Sequence, residues 1–153
     1  MIRFQTEQTI ARSADDVWDY AVDILRHPEW MGVLDARVVH GRGTELGARA
    51  IERIKLGPRT VDVGLEVSAS MPGRRIGWRI AGGSPLEGDV AIDLEPLSPE
   101  RCRAVWSGSL RMKGVWRLLE PLMASEVRSG EAAELVRLKD NLERASAAAS
   151  ATA

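Results

Sequence analysis

The chain has 153 residues, 44% of them hydrophobic and 28% charged, and a formal net charge of −1 at pH 7. The length predicts a single domain with a hydrophobic core. The charge balance argues against nucleic acid as a partner, because phosphate binding needs a basic surplus. No apolar run approaches the roughly 20 residues of a membrane span, and the charged N-terminus has no secretory signal core. The single cysteine, Cys102, suits a reducing compartment, so we expect a cytoplasmic protein without stable membrane insertion.

The N-terminal segment predicts a strand followed by a capped helix. Apolar residues alternate with polar ones from Ile2 to Ile10, which is typical of a strand with one buried face. Ser13 has an aspartate three residues later, a spacing close to a capping box, and an apolar stripe follows it. Because Pro28 disfavours helical geometry in the preceding residue, we expect this helix to end near Arg26. A second short turn is expected over residues 29–33.

The middle of the chain predicts six further strands, separated by turns that contain Gly or Pro. Their short connections imply hairpins and therefore an antiparallel sheet. Alternation predicts one apolar face, to which every second residue from Val61 to Met71 contributes. The six predicted strands cover residues 36–40, 49–55, 60–71, 74–81, 89–97 and 103–112.

A long helix is predicted to cover the apolar face of the sheet. Its apolar residues begin at Val115 and continue to Leu142, and Pro121 either opens its main segment or kinks it. Small residues over 129–133 stand where a covering helix normally brings large side chains, which favours a cavity beneath them. We expect one domain over residues 1–145 and a disordered tail over 146–153.

Three motifs together resemble the polyketide cyclase/dehydrase and lipid-transport family (SRPBCC). These are Ser13-x-x-Asp-Val-Trp18, His27-Pro-Glu-Trp30 and Leu138-Lys-x-x-Leu-Glu143, with a Gly-punctuated strand series between the last two. The family belongs to the START-like, Bet v 1-like helix-grip superfamily, and the resemblance covers residues 2–145. It implies an α+β helix-grip fold, with a curved antiparallel sheet of about seven strands around a long C-terminal helix and two short helices after the first strand.

The resemblance also implies a function: binding of a small hydrophobic molecule, lipid- or polyketide-like, in a cavity between sheet and helix, without a cofactor. Trp78 and Trp106 face inward and either stack on a flat ligand or fill the cavity. Trp30 and Met31 follow the short helices, where a mouth is expected. The predicted ligand-binding residues are Trp30, Met31, Val63, Leu65, Trp78, Ile80, Val90, Ile92, Trp106, Met123, Glu126, Val127 and Gly130.

The residues show no nucleophile–base constellation and no metal-ligand spacing. Three side chains are candidates for catalysis. Glu126 is either a buried acid or a rim residue, Arg53 faces either the cavity or solvent, and His27 is either a pocket base or a capping group. A cyclase/dehydratase-type enzyme is therefore one alternative function. A protein-interaction module with an exposed Trp30–Met31 patch and a filled interior is another, and the oligomeric state stays open.

Overall fold

Seven strands form one antiparallel sheet in the computed structural model, which describes residues 1–152. The spatial order of the strands is β1-β7-β6-β5-β4-β3-β2, so hairpins link neighbours from β2 to β7 and the first strand pairs with the last. The predicted antiparallel sheet is confirmed. The strands are β1 (Ile2–Ile10), β2 (Val33–His40), β3 (Arg49–Leu56), β4 (Arg59–Met71), β5 (Arg75–Ala81), β6 (Leu86–Ser98) and β7 (Arg101–Met112).

Three α-helices complete the structure: α1 (Ala14–Ala21), α2 (His27–Trp30) and α3 (Glu120–Ala151). One 3-10 turn precedes α2 and another, Gly114–Leu118, precedes α3. The last helix packs on the inner face of the sheet, chiefly against β1. This arrangement confirms the predicted α+β helix-grip fold. Within residues 1–152, no helix combines the length and the apolar character that a bilayer span requires.

The start of α1 forms as its sequence predicts, but its end does not. The Ser13 hydroxyl accepts a hydrogen bond from the Asp16 amide at 3.1 Å, which caps the helix. The helix ends at Ala21 rather than near Arg26. The Asp23 side chain accepts from the Leu25 amide at 3.1 Å and starts a separate 3-10 turn. An aspartate that bonds to the backbone two residues later competes with helix continuation, which explains the early end.

Residues 135–142 of α3 carry the apolar side chains that the helix buries in the core. Leu135 and Leu138 are fully buried and Leu142 is 4% exposed. Polar contacts join the same part of the helix to β1 and to the segment after it. Lys139 Nζ donates to the Thr9 carbonyl at 2.6 Å, and the Arg12 guanidinium donates to the Leu142 carbonyl at 2.9 Å. Apolar burial and these contacts fix the helix against the sheet.

The structure corrects two predictions about which residues face inward, and it also describes most of the C-terminal tail. The pairing of β4 with β5 shifts between Val67 and Ala69, so Met71 is exposed instead of facing the core. The small residues Ser129, Gly130 and Ala133 are exposed on α3 and do not lie over the cavity. The tail is helical as far as Ala151, where disorder was expected, and Ala153 lies outside the described residues.

Glycine is required at position 88, near the start of β6. Gly88 has φ of 150°, and a Cβ at this position would overlap the Ser109 carbonyl of the neighbouring strand. Only glycine allows both this backbone conformation and this close approach. Because Gly88 pairs with Ile80 and Leu110, it lies between two residues of the cavity wall.

Candidate functional site

A cavity of about 330 Å³ lies between the inner face of the sheet and α3. Lys55, Gly57 and Glu126 line it and are themselves solvent-exposed, so one end opens to solvent. Most of the wall is apolar, as is typical of sites for small molecules. Its apolar residues are Ile2, Met31, Val33, Ile54, Leu56, Val63, Leu65, Trp78, Ile80, Leu86, Val90, Trp106, Leu110, Met112, Met123 and Val127.

The two ends of the cavity differ in chemistry. The outer end, near the opening, is formed by Leu56, Leu86, Met112, Met123 and Val127, with Glu126 at the rim. The inner end contains most of the polar groups. It is formed by His27, Glu52, Trp78, Trp106, Glu131 and Glu134.

His27 and Glu52 form a buried hydrogen-bonded pair at the inner end, with 0% and 4% exposure. His27 Nδ1 contacts Glu52 Oε1, and His27 Nε2 lies 3.1 Å from the Ala21 carbonyl oxygen. A carbonyl can only accept, so Nε2 carries a hydrogen. The other ring nitrogen, Nδ1, has the Glu52 carboxylate as its partner, so both polar ends of the ring are paired. This arrangement removes the cost of an isolated buried charge.

Two tryptophans, Trp30 and Trp78, contact the His27 ring edge-to-face, and a third, Trp106, contacts both of them. The centroid of the His27 ring lies 5.7 Å from that of Trp30 and 5.4 Å from that of Trp78. Trp106 lies 5.8 Å from Trp30 and 6.4 Å from Trp78. Edge-to-face geometry is the favoured one for such rings. These contacts restrict the position of each ring. His27, Trp30, Trp78 and Trp106 therefore form a rigid aromatic frame at the inner end.

Glu131 and Glu134 lie one helical turn apart on α3 and face this frame. Trp106 Nε1 donates to Glu131 Oε2 at 2.7 Å, and the Gly32 amide donates to Glu134 Oε1 at 2.6 Å. Burial raises the pKa of both carboxyls. Burial first, and then the charge of Glu131, raises the pKa of Glu134 to about 8. These effects favour the protonated form of the Glu134 carboxyl at pH 7.

Three buried side-chain polar atoms have no hydrogen-bond partner within residues 1–152. They are Trp30 Nε1, Trp78 Nε1 and Glu134 Oε2. Trp78 and Glu134 belong to the cavity wall, whereas Trp30 does not. Buried polar groups in proteins are nearly always paired, so Trp78 and Glu134 each bring to the cavity wall one polar atom that the protein leaves without a partner.

The structure places most of the predicted binding residues in the cavity wall. Met31, Val63, Leu65, Trp78, Ile80, Val90, Trp106, Met123, Glu126 and Val127 all line it. The predicted residues Trp30, Ile92 and Gly130 do not. Trp30 is fully buried behind His27 instead of guarding a mouth, Ile92 is fully buried in the core, and Gly130 faces solvent.

The three catalytic candidates occupy different environments. His27 lines the cavity and is bound to Glu52. Glu126 lies exposed at the rim. Arg53 is on the outer face of the sheet, where its Nε donates to Asp62 Oδ1 at 2.8 Å, so it does not reach the cavity. The interaction-module alternative also loses its basis, because Trp30 is buried and the interior contains a cavity.

Sequence reasoning missed Glu52, Glu131 and Glu134, the acids of the inner end. A signal for the last two is present in the helix periodicity. Counting from Val127, the cavity-facing side of α3 continues at i+4 and i+7, which are the half-buried Glu131 and Glu134, and then reaches the buried Leu135 and Leu138. The sequence does not show which face of β3 carries Glu52. Apolar residues occur on both sides of this strand: Ala50 and Ile54 on the side of Glu52, and Ile51 on the other.

Other chemistry finds little support in the described part of the chain. Residues 1–152 contain no group of three or more His, Cys, Asp or Glu side chains placed to hold a metal ion. Cys102 is fully buried, and burial raises the pKa of its thiol. A reactive cysteine needs the opposite environment.

Comparison with solved structures shows the same fold in proteins of very different sequence. A START superfamily protein from Mycobacterium smegmatis has a TM-score of 0.79 at 11% identity, over 94% of this chain and 99% of that one. A Thermus thermophilus protein has a TM-score of 0.77 at 17% identity, over 94% and 99% of the two chains. A Streptomyces aromatase/cyclase has a TM-score of 0.69 at 16% identity, over 93% of each chain.

These identities are low, so the solved structures establish the fold and not the activity. No curated protein sequence matches the chain. The family model described as polyketide cyclase / dehydrase and lipid transport matches residues 1–143, which is nearly the whole chain. The protein therefore belongs to the polyketide cyclase/dehydrase and lipid-transport family, within the START-like fold.

Proposed function

We propose that this protein binds a small, mainly apolar molecule in the cavity between the sheet and α3. The observation that carries the proposal is the cavity itself, about 330 Å³ in volume and largely apolar in its wall. Ligand sites of this kind measure roughly 300–1,000 Å³ and obtain most of their affinity from apolar burial. The volume suits a molecule of one to three fused rings or a short acyl chain.

Native mass spectrometry of freshly purified protein is the first test. A bound apolar molecule would appear as a mass increment that denaturation releases, and extraction would give its chemical class. Protein without a ligand would then be tested by calorimetry and thermal shift with apolar compounds of graded size. Absence of binding across this series would contradict the proposal.

Two variants on α3 provide a matched comparison. Val127 lines the cavity, whereas Val136 is exposed and does not. Val127→Phe fills the cavity, so we expect ligand affinity to fall at least about tenfold, which is about 1.4 kcal/mol. Val136→Phe adds the same side chain outside the cavity and should leave affinity unchanged. Equal effects of the two substitutions would place the ligand elsewhere.

Acid–base chemistry on the bound molecule is a second candidate function, supported by the acidic pair Glu131 and Glu134. A carboxyl that retains its proton at pH 7 can donate it to a ligand carbonyl, while its ionised partner accepts a proton from the neighbouring carbon. The carbon–hydrogen bond then breaks, an oxygen–hydrogen bond forms, and the product is an enol. This step is balanced without a cofactor.

Deuterium incorporation tests this second candidate. The methyl group of acetylnaphthalene, incubated with the protein in heavy water, would gain deuterium faster than in buffer, as measured by mass spectrometry. Glu131→Gln removes the proton acceptor and should abolish the acceleration. A rate equal to that of the buffer, in the presence of demonstrated binding, would leave ligand binding alone as the function.

A further inference from the structure

We infer that the inner end of the cavity is a recognition site for an oxygen acceptor of the ligand, such as a ketone or ester carbonyl, which receives hydrogen bonds from Trp78 Nε1 and from the acidic pair Glu131 and Glu134. The inference rests on the proposed function, because it names the chemistry of a ligand in the same cavity. It commits the ligand to one orientation, with its oxygen inward and its apolar part toward the outer end.

The unpaired indole of Trp78 is the first observation. Trp78 is 1% exposed, lines the cavity, and has no partner for its N–H. An indole nitrogen can only donate, and a buried donor without an acceptor is unfavourable. The neighbouring tryptophan shows the contrast, since Trp106 Nε1 donates to Glu131. Trp78 is thus left for an acceptor that the protein does not supply.

The acidic pair is the second, independent observation. Glu134 Oε1 accepts from the Gly32 amide, and Oε2 has no donor facing it. Glu131 and Glu134 lie three residues apart on α3 and line the same cavity, where desolvation disfavours ionisation of both carboxyls at once. Burial and the charge of Glu131 raise the pKa of Glu134 to about 8, which keeps the proton in place at pH 7. A ligand oxygen can compete for that proton as an acceptor.

The charged groups around Glu131 and Glu134 do not remove the proton that Glu134 retains. On α3, Arg137 lies near Glu134, but its Nε donates to the Trp30 carbonyl at 2.8 Å. Glu52, on β3, adds negative charge near Glu131, and His27, on α2, is already bound to Glu52. Glu126 lies at the exposed rim. The surroundings therefore favour the protonated pair over two carboxylates.

An ammonium ligand is the other chemistry that buried acids attract. It would ionise the pair, but it offers no acceptor to Trp78, which would remain unpaired. The tryptophan rings are also engaged edge-to-face with each other and with His27, so they do not form an open cage for a cation. The observations favour an oxygen acceptor.

Three naphthalene probes of similar size test the inference by calorimetry at pH 6. Acetylnaphthalene carries the carbonyl, ethylnaphthalene replaces it with a methylene, and naphthylmethylamine carries a cation. We expect the ketone to bind on the order of tenfold more tightly than the hydrocarbon, the size of one or two net hydrogen bonds. Equal affinity of these two, or tightest binding of the amine, would overturn the inference while the proposed function stands. Binding of none of them would contradict both.

Substitutions and the pH dependence of binding then test each of the two donors, Trp78 Nε1 and the acidic pair, separately. Trp78→Phe should reduce the ketone preference over ethylnaphthalene, since both probes lose the same apolar ring contact but only the ketone loses the N–H donor. In the native protein the preference should fall between pH 6 and pH 9, as the pair loses its proton. Glu134→Gln, whose amide donor does not titrate, should remove this pH dependence, whereas the exposed Asp140→Asn should retain it. A preference that is unchanged at pH 9 in the native protein would exclude the acidic pair as a donor.

Discussion

The inner and outer ends of the cavity, although built on the same helix and sheet, differ in packing. At the inner end, the second half of α3 buries Leu135 and Leu138 completely beside the aromatic frame. At the outer end, residues 120–130 of α3 leave Leu122 79% exposed and place Met123, Glu126 and Val127 on the cavity. One helix thus serves as core at one end and as a loose cover at the other. Rigid recognition and easy access can therefore coexist in one cavity.

The largest expected effect is at the His27–Glu52 pair. Glu52→Leu leaves the His27 ring buried without its acceptor, and removing one member of a buried pair typically costs about 3–5 kcal/mol. Glu52→Gln keeps a hydrogen-bonding group next to His27 and should cost markedly less. Urea unfolding measures both. If the two variants lose the same stability, the pair is not the stabilising element of the inner end.

The two halves of α3 should differ in their tolerance of truncation. Leu138→Ala removes a fully buried side chain and should lower the free energy of unfolding by about 3 kcal/mol, within the range for large-to-small core changes. Leu122→Ala, on the exposed half, should change it by less than about 0.5 kcal/mol. Chemical denaturation gives both values. A comparable loss in the two variants would mean that the outer half is also packed.

Stability should fall as pH rises from about 5 to 8, because of the acidic pair. The folded state keeps a proton on Glu134 up to about pH 8, while the unfolded chain loses it near 4.5. The contribution of this proton to the free energy of unfolding is fully present below pH 4.5 and is lost as the pH rises toward 8. The free energy changes by at most about 1.4 kcal/mol per pH unit. Urea midpoints measured at pH 5, 6, 7 and 8 should decline, and Glu134→Gln should flatten the decline.

Other carboxyls act in the opposite direction and at lower pH. Hydrogen bonds from the backbone lower the pKa of Glu45, and the Arg53 guanidinium lowers the pKa of Asp62. These two carboxyls stabilise the fold at pH values above their pKa in the unfolded chain, and the stabilisation is lost as the pH falls through their lower folded pKa. This loss lies below the range from pH 5 to pH 8. A stability that rises between pH 5 and 8 would contradict a shared proton in the acidic pair.

The smallest effect concerns local opening of the helix. Amides in residues 120–130 should exchange with deuterium at least about tenfold faster than those in residues 135–142, since few apolar side chains hold the outer half. Hydrogen exchange with mass spectrometry resolves the two segments. Binding of an apolar ligand should slow exchange in the outer half. Uniform protection along α3 would mean that ligand entry does not use this half.

The strand series and the motifs around Ser13, His27 and Leu138 were sufficient to predict the helix-grip fold, because hydrophobic periodicity and turn residues are local signals. The wall residues on strands, such as Val63, Trp78 and Trp106, could be predicted for the same reason. The exposure of Met71 could not be predicted. A bulge between Val67 and Ala69 reverses the alternation of inward and outward residues, and it is visible only in the pairing of β4 with β5. Likewise, the small residues near Gly130 suggested a cavity, but helix phase places them toward solvent.

The sequence by itself determined the order of elements, the cap of α1 and the apolar faces, since each depends on neighbours within a few residues. Only the tertiary structure decided the chemistry of the inner end. The His27–Glu52 pair joins α2 to β3, the Trp106–Glu131 contact joins β7 to α3, and Glu134 meets Gly32 across the fold. Desolvation and shared protons arise from these long-range contacts, because burial of a charged group depends on everything packed around it.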